Sequence, residues 1–185
     1  FRERHPNVQF EIDTQERHVA LESGECDLAM RSTDEVQGDD LITRKIDDHP
    51  FLFYCSNDYA EMHGTPTSMA ELEAHRLLAY SDSFAEKVRI LAALRSELPD
   101  ASIVFRVDSP EGMRAVIKTG VGVGVLPWVL GEEDPDLRRC FGVPWMTHPI
   151  WLVASRDAFE TPLVRAFWDF FFQQIPGIRP RYELD

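Results

Sequence analysis

The stretch IVFRVDSPEGMRAVIKTGVGVGVLP, residues 103–127, decides the fold class. Ile103-Val104-Phe105-Arg106-Val107 is rich in β-branched and aromatic residues and reads as a strand. Ser109 followed by Pro110 is a helix start, because a hydroxyl accepts from the first free N–H groups and proline's fixed φ suits the first turn. The spacing carries that helix to Thr119, where Gly120 stops it, and Val121 to Leu126 reads as the next strand, ended by Pro127. A strand, a helix and a strand in so short a span make the unit from which α/β sheets are built.

The same alternation extends outward in both directions. Val8 to Ile12 alternates apolar and polar residues and predicts a strand, followed by a helix from Thr14 to Leu21 that Gly24 closes. Asp27-Leu28-Ala29-Met30 predicts a buried strand. Leu41 to Lys45 and Phe51 to Cys55 predict two strands broken by Asp47-Asp48-His49-Pro50, and Asn57 to Met62 and Ser68 to Ala74 predict short helices about a Gly64-Thr65-Pro66 turn. Arg76 to Tyr80 predicts a strand, Phe84 to Leu94 a helix, residues 131–137 an acidic loop and Ile150 to Ala154 a last strand. Thr161-Pro162 opens a closing helix in which Phe170, Phe171 and Phe172 place rings around most of the circumference, a face that a subunit interface would cover. The expected class is α/β with a largely parallel sheet in two subdomains, 1–78 with 148–185 and 80–146, joined by two crossovers across a cleft. Ligands of such sheets sit outside the carboxyl ends of strands beside helix N-termini, here Thr14, Arg31-Ser32, Ser81-Asp82-Ser83 and Asp108-Ser109.

Composition narrows the function classes. The 185 residues are 44% hydrophobic and 28% charged, with a net charge of −13. Such a surface repels phosphate backbones, so contact with DNA is expected only through another part of a polypeptide. No apolar run reaches membrane-spanning length, so no membrane partner is expected. Cys26, Cys55 and Cys140 form no CxxC pair, and free thiols fit a reducing cytoplasm. Cys140 follows Arg138-Arg139, a setting for a reactive thiol, but no resolving cysteine lies near it in the chain.

Other chemistries find no support. The six histidines show no metal-ligand spacing, and no metal or cofactor is expected. Gly120, Gly122 and Gly124 lie on a strand after a helix, the reverse of the order a dinucleotide-binding turn needs, so close packing of strand on helix explains them. No nucleophile–base motif or carboxylate pair for catalysis is readable, and an enzyme is not expected.

Several phrases resemble the effector-binding domain of LysR-type transcriptional regulators. They are Phe1 to Val8, then Leu21-Glu22-Ser23-Gly24-Glu25-Cys26-Asp27-Leu28-Ala29-Met30-Arg31, then Asn57-Asp58-Tyr59-Ala60 with His63-Gly64-Thr65-Pro66. Gly120 to Pro127 and Thr161 to Phe167 complete the set, in the family's order and across nearly the whole chain. The resemblance implies a bilobed fold similar to type 2 periplasmic binding proteins, with two Rossmann-like subdomains. It implies a small-molecule effector in the cleft, a homodimer or tetramer, and DNA contact through an N-terminal helix-turn-helix domain absent from this chain. The family's first strand is also missing from it. A solute-binding protein of a transporter is the alternative on the same fold.

The resemblance assigns effector contacts to Thr14, to Arg31 or Ser32, to Ser81 and Asp82, and to Asp108 and Ser109. Hydroxyl-capped helix starts suit an anion, whereas Asp82 and Asp108 suit an amine or a polyhydroxy compound. Which of Arg31 and Ser32 faces the cleft stays open.

Overall fold

The structure is a computed structural model that describes residues 1–13, 21 and 24–178. Thr14 and the helix expected over 14–21 lie outside the described residues. Contacts within the chain divide the described residues into two units, one formed by Phe1–Asp47 with residues 149–178, the other by Asp48–His148. By contacts, the division falls after Asp47 and after His148. Strand β2 (Leu41–Ser56) and strand β6 (Leu137–Ser155) are the two segments that carry the chain from one unit to the other. The remaining strands are β1 (Leu28–Ser32), β3 (Leu77–Tyr80), β4 (Ile103–Val107) and β5 (Gly124–Pro127). One sheet has the order β1-β6-β2-β5 and a second pairs β3 with β4.

In the first unit, β1 runs antiparallel to the end of β6, from Leu28 opposite Ala154 to Ser32 opposite Ile150. Helix α6 (Arg156–Glu160) follows β6, capped by the Ser155 hydroxyl, which accepts from the Ala158 N–H at 3.1 Å. Helix α7 (Pro162–Ile178) then lays Trp168 and Ile175 onto Ile46, Leu152 and Ala154. Its aromatic belt finds cover inside the chain. Phe171 and Phe172 pack on that core, while Phe1 meets Phe167 and Phe170 at ring separations of 5.2 and 5.4 Å. The predicted strand at Val8–Ile12 does not form. Alternation alone does not hold a strand without a ladder partner, and none is present for it among the described residues.

In the second unit, β2 pairs antiparallel with β5, from Phe51 opposite Pro127 to Tyr54 opposite Gly124. β3 and β4 are parallel, with Tyr80 opposite Val107, and Leu77 bridges Val123 in the parallel sense. The expected largely parallel sheet is therefore mixed, because β2 meets β5 and β6 meets β1 in antiparallel ladders. Leu52, Tyr54, Leu77, Ile90, Met113, Ile117, Leu126 and Met146 form the centre of the core. Helix α4 (Pro110–Lys118) starts at the expected Ser109 cap and stops at Gly120, whose φ of 75° is left-handed backbone that favours glycine. Gly124 lets that helix sit on β5, since a Cβ there would lie 2.7 Å from Met113 Sδ and 3.0 Å from Ile117 Cδ1.

Four further sequence expectations change. The break at 47–50 is absent from β2. Pro50 stands just before the ladder with β5 begins at Phe51, where a missing N–H costs no bond to that strand. The helix expected over 84–94 is two, α2 (Asp82–Ala85) and α3 (Arg89–Glu97), separated at Val88, whose backbone is extended. The strand expected at 150–154 is only the end of β6, which starts at Leu137, and α5 (Trp128–Glu132) occupies the start of the expected acidic loop. Helix α1 (Asn57–His63) forms as expected, with the Ser56 hydroxyl accepting from the Tyr59 N–H at 3.0 Å.

Candidate functional site

The parallel pair β3–β4 brings four of the expected residues to one edge. The Ser81 N–H donates to the Val107 carbonyl at 2.7 Å, so the carboxyl ends of the two strands are locked side by side. Ser81 begins α2 and its hydroxyl lies 3.2 Å from that of Ser83. Asp108 and Ser109 follow β4 directly, with Asp108 exposed. The Ser109 Oγ accepts from the Gly112 N–H at 3.2 Å, which caps α4 and leaves the hydroxyl proton free to donate elsewhere. Behind this edge the Tyr80 hydroxyl donates to the Val125 carbonyl at 3.0 Å and its ring stacks on Phe84, holding β3, β5 and α2 in fixed register.

Asp82 is not an unbalanced anion. Its carboxylate meets Arg95 Nε at 3.3 Å and Arg106 at 4.0 Å. Both arginines also reach Asp100, at 2.8 and 3.5 Å. The four side chains form a partly exposed network of two cations and two anions, so the negative charge at this edge that sequence alone suggests falls to Asp108. Arg95 and Arg106 belong to α3 and β4, and no spacing in the sequence links them to Asp82.

Arg31 and Ser32 end β1 in the other unit. Arg31 stands opposite Trp151 and is half-buried, while Ser32 stands opposite Ile150 and is exposed. Successive strand residues point to opposite faces, so the two side chains leave β1 on opposite sides. The Trp151 indole N–H donates to the Thr33 carbonyl at 2.9 Å and fixes the turn that follows. Thr14 lies outside the described residues. A hollow of about 410 Å³ in this unit is lined by Cys26, Asp27, Asp40, Arg156 and Asp157 among others, and none of the expected site residues lines it.

Sequence reading missed three polar constellations in the second unit. Tyr59 accepts from the Arg76 N–H at 3.2 Å and pairs with His75 Nδ1 at 3.1 Å, where burial pushes the His75 pKa down. Lys118 donates to both oxygens of buried Asp134, at 3.1 and 3.0 Å, and to Asp136 at 2.9 Å. Cys140 on β6 lies 3.6 Å from Cys55 on β2, sulfur to sulfur, which supplies the near partner that the chain order had hidden. Among the described residues, no group of three or more His, Cys, Asp or Glu is placed to hold a metal ion, and no helix is long and apolar enough to cross a membrane.

Known proteins share this sequence pattern and this fold. The family model described as the LysR substrate binding domain matches residues 1–176. The regulator CrgA of Neisseria meningitidis is 25% identical over 182 residues, covering 95% of this chain and 60% of CrgA. The chain thus spans about 60% of the length of this curated relative. The solved regulatory domain of CrgA superposes with a TM-score of 0.74 at 24% identity, over 94% of this chain and 87% of that one. The effector domain of AmpR from Pseudomonas aeruginosa gives 0.71 at 21% identity, over 95% and 84%. The fold is accordingly the α/β, two-lobe periplasmic-binding-protein-like fold of these domains, and with the match running through 176 of its residues the chain belongs to the LysR substrate-binding domain family.

Proposed function

We propose that this chain is the effector-sensing part of a LysR-type bacterial transcription regulator, working in the cytoplasm as a homodimer or tetramer. Its DNA contacts would come from an N-terminal helix-turn-helix domain outside this sequence, in keeping with the net charge of −13. The observation that carries the reading is the family match over residues 1–176. The relatives it matches are regulators, which favours this reading over a transporter's solute-binding protein or an enzyme.

Effector contacts are proposed at Ser81, Asp82, Asp108 and Ser109 in the second unit and, taken separately, at Arg31 and Ser32 in the first; Thr14, proposed with them, lies outside the described residues. Ser109 offers a hydroxyl donor beside a helix N-terminus, and Asp108 an exposed carboxylate. Such a set favours a small polyhydroxy compound or an amine bearing hydroxyls over a simple anion. Effector bound there stabilises one arrangement of the domain over another, and can shift that equilibrium only by its differential affinity for the two. A thermal-shift screen of the chain against sugars, amines, amino acids and carboxylates tests the reading. A ligand at about 100 times its dissociation constant adds roughly 2.7 kcal/mol of stability. A hit among polyhydroxy compounds or amines is the expected result, and a uniform lack of shift across all classes contradicts it.

A further inference from the structure

The sulfurs of Cys55 and Cys140 lie 3.6 Å apart on β2 and β6. Cys55 is the penultimate residue of β2 and is fully buried, whereas Cys140 is only half-buried. The Phe53 ring stacks on Phe141 at 4.5 Å, so the two strands are packed together at the residues flanking the pair. Eighty-five positions separate the cysteines in the chain, and both are free thiols. We propose that Cys55 and Cys140 are a redox-reactive dithiol, which a hydroperoxide converts to an intramolecular disulfide.

The chemistry of the pair supports the first step. The Cys55 thiol is pushed down by the hydrogen bond from Cys140 and by Arg138, against its own burial. The same bond and burial hold the second proton, so the pair loses one proton readily and keeps the other. At rest that proton sits on Cys140, which donates to Cys55; when it passes along this hydrogen bond to Cys55, Cys140, the sulfur that solvent reaches, becomes the thiolate. That thiolate attacks one peroxide oxygen, the O–O bond breaks, and the departing hydroxide takes a solvent proton to become water. Cys140 is then a sulfenic acid. The Cys55 sulfur attacks it, the S–O bond breaks, and the hydroxide leaves with the Cys55 proton as a second water. Two electrons pass from two thiols to one peroxide, and a disulfide needs the sulfurs to approach by about 1.5 Å from their present separation.

The bond would fasten β2 to β6, the two strands by which the chain passes between its units. It is an input separate from any small effector and does not depend on the ligand site assigned above. Cys26, in the other unit, serves as an internal control, since burial first and then Asp27 push its thiol up and make it a poorer nucleophile.

The test is to treat the full chain with hydrogen peroxide, alkylate the remaining thiols under denaturing conditions and map the peptides without reduction. The expected result is a linked Cys55–Cys140 peptide pair, alkylated Cys26, and full recovery of three thiols with dithiothreitol. In C55A, Cys140 is expected to stop at the sulfenic acid and take up dimedone. In C140S, Cys55 is expected to remain a free thiol. Cys55 and Cys140 both alkylated after treatment, a link through Cys26, or a link only between two chains would overturn the proposal. The map of the unsubstituted chain decides the matter even where C55A fails to fold.

Discussion

Ser81 and Val107 are joined by a 2.7 Å hydrogen bond from the Ser81 N–H to the Val107 carbonyl, at the carboxyl ends of two parallel strands. That bond sets the starts of α2 and α4 side by side and makes Ser81 and Ser109 neighbours on one edge. The effector assignment in this unit rests on it, because a hydroxyl is useful for recognition only where the backbone holds it still.

Ser109→Ala removes the cap of α4, whose oxygen accepts from the Gly112 N–H at 3.2 Å. Loss of a serine cap costs about 1 kcal/mol. The variant is expected to unfold at a lower denaturant concentration than the parent with an unchanged slope, as followed by circular dichroism in urea. Ser109→Asp keeps a cap and is expected to restore most of that stability.

Gly124→Ala places a methyl group 2.7 Å from Met113 Sδ and 3.0 Å from Ile117 Cδ1. Overpacking at such a strand–helix contact costs about 1–3 kcal/mol. Pairing with Met113→Ala should return part of the loss, because the flexible thioether is what the new methyl meets. Chemical denaturation of the two single variants and the double variant measures that coupling.

Asp134 accepts two hydrogen bonds from Lys118 and one from the Asp136 N–H. Burial by itself would raise its pKa, but these bonds hold it below the ordinary 3.8. A carboxylate depressed in the folded state contributes stability that is present above its unfolded pKa and lost as pH falls through the folded one. Asp134→Asn is therefore expected to be less stable than the parent at neutral pH, and the gap should close below about pH 4. A gap that stays constant from neutral pH into acid would show that the pair contributes nothing through ionisation.

Much of the second unit is legible from local rules. Ser109-Pro110 and Gly120 mark both ends of α4, and the small residue at Gly124 announces close packing against a helix. The long strands are not legible, because Pro50, Pro144 and Pro149 look like breaks when read locally. Proline forbids a helix interior but is tolerated in a strand wherever its missing N–H is not needed. The split at Val88 is hidden for a similar reason: the apolar spacing from Phe84 to Leu94 satisfies one helix as well as two. The site is legible only in part. Ser81 and Ser109 follow from strand ends and cap residues, but the arginines that neutralise Asp82 come from other elements. The Cys55–Cys140 contact joins residues 85 positions apart, and only the pairing of β2 with β6 brings them together.

The edge formed by Ser81 and Ser109 is proposed to hold a small effector. The decisive measurement is calorimetric titration of the best ligand from the thermal-shift screen into the parent chain and into S81A/S109A. The double variant is expected to bind with at least a tenfold weaker dissociation constant, about 1.4 kcal/mol, with both proteins folded by circular dichroism. Equal affinity of the two proteins for that ligand would contradict the assignment.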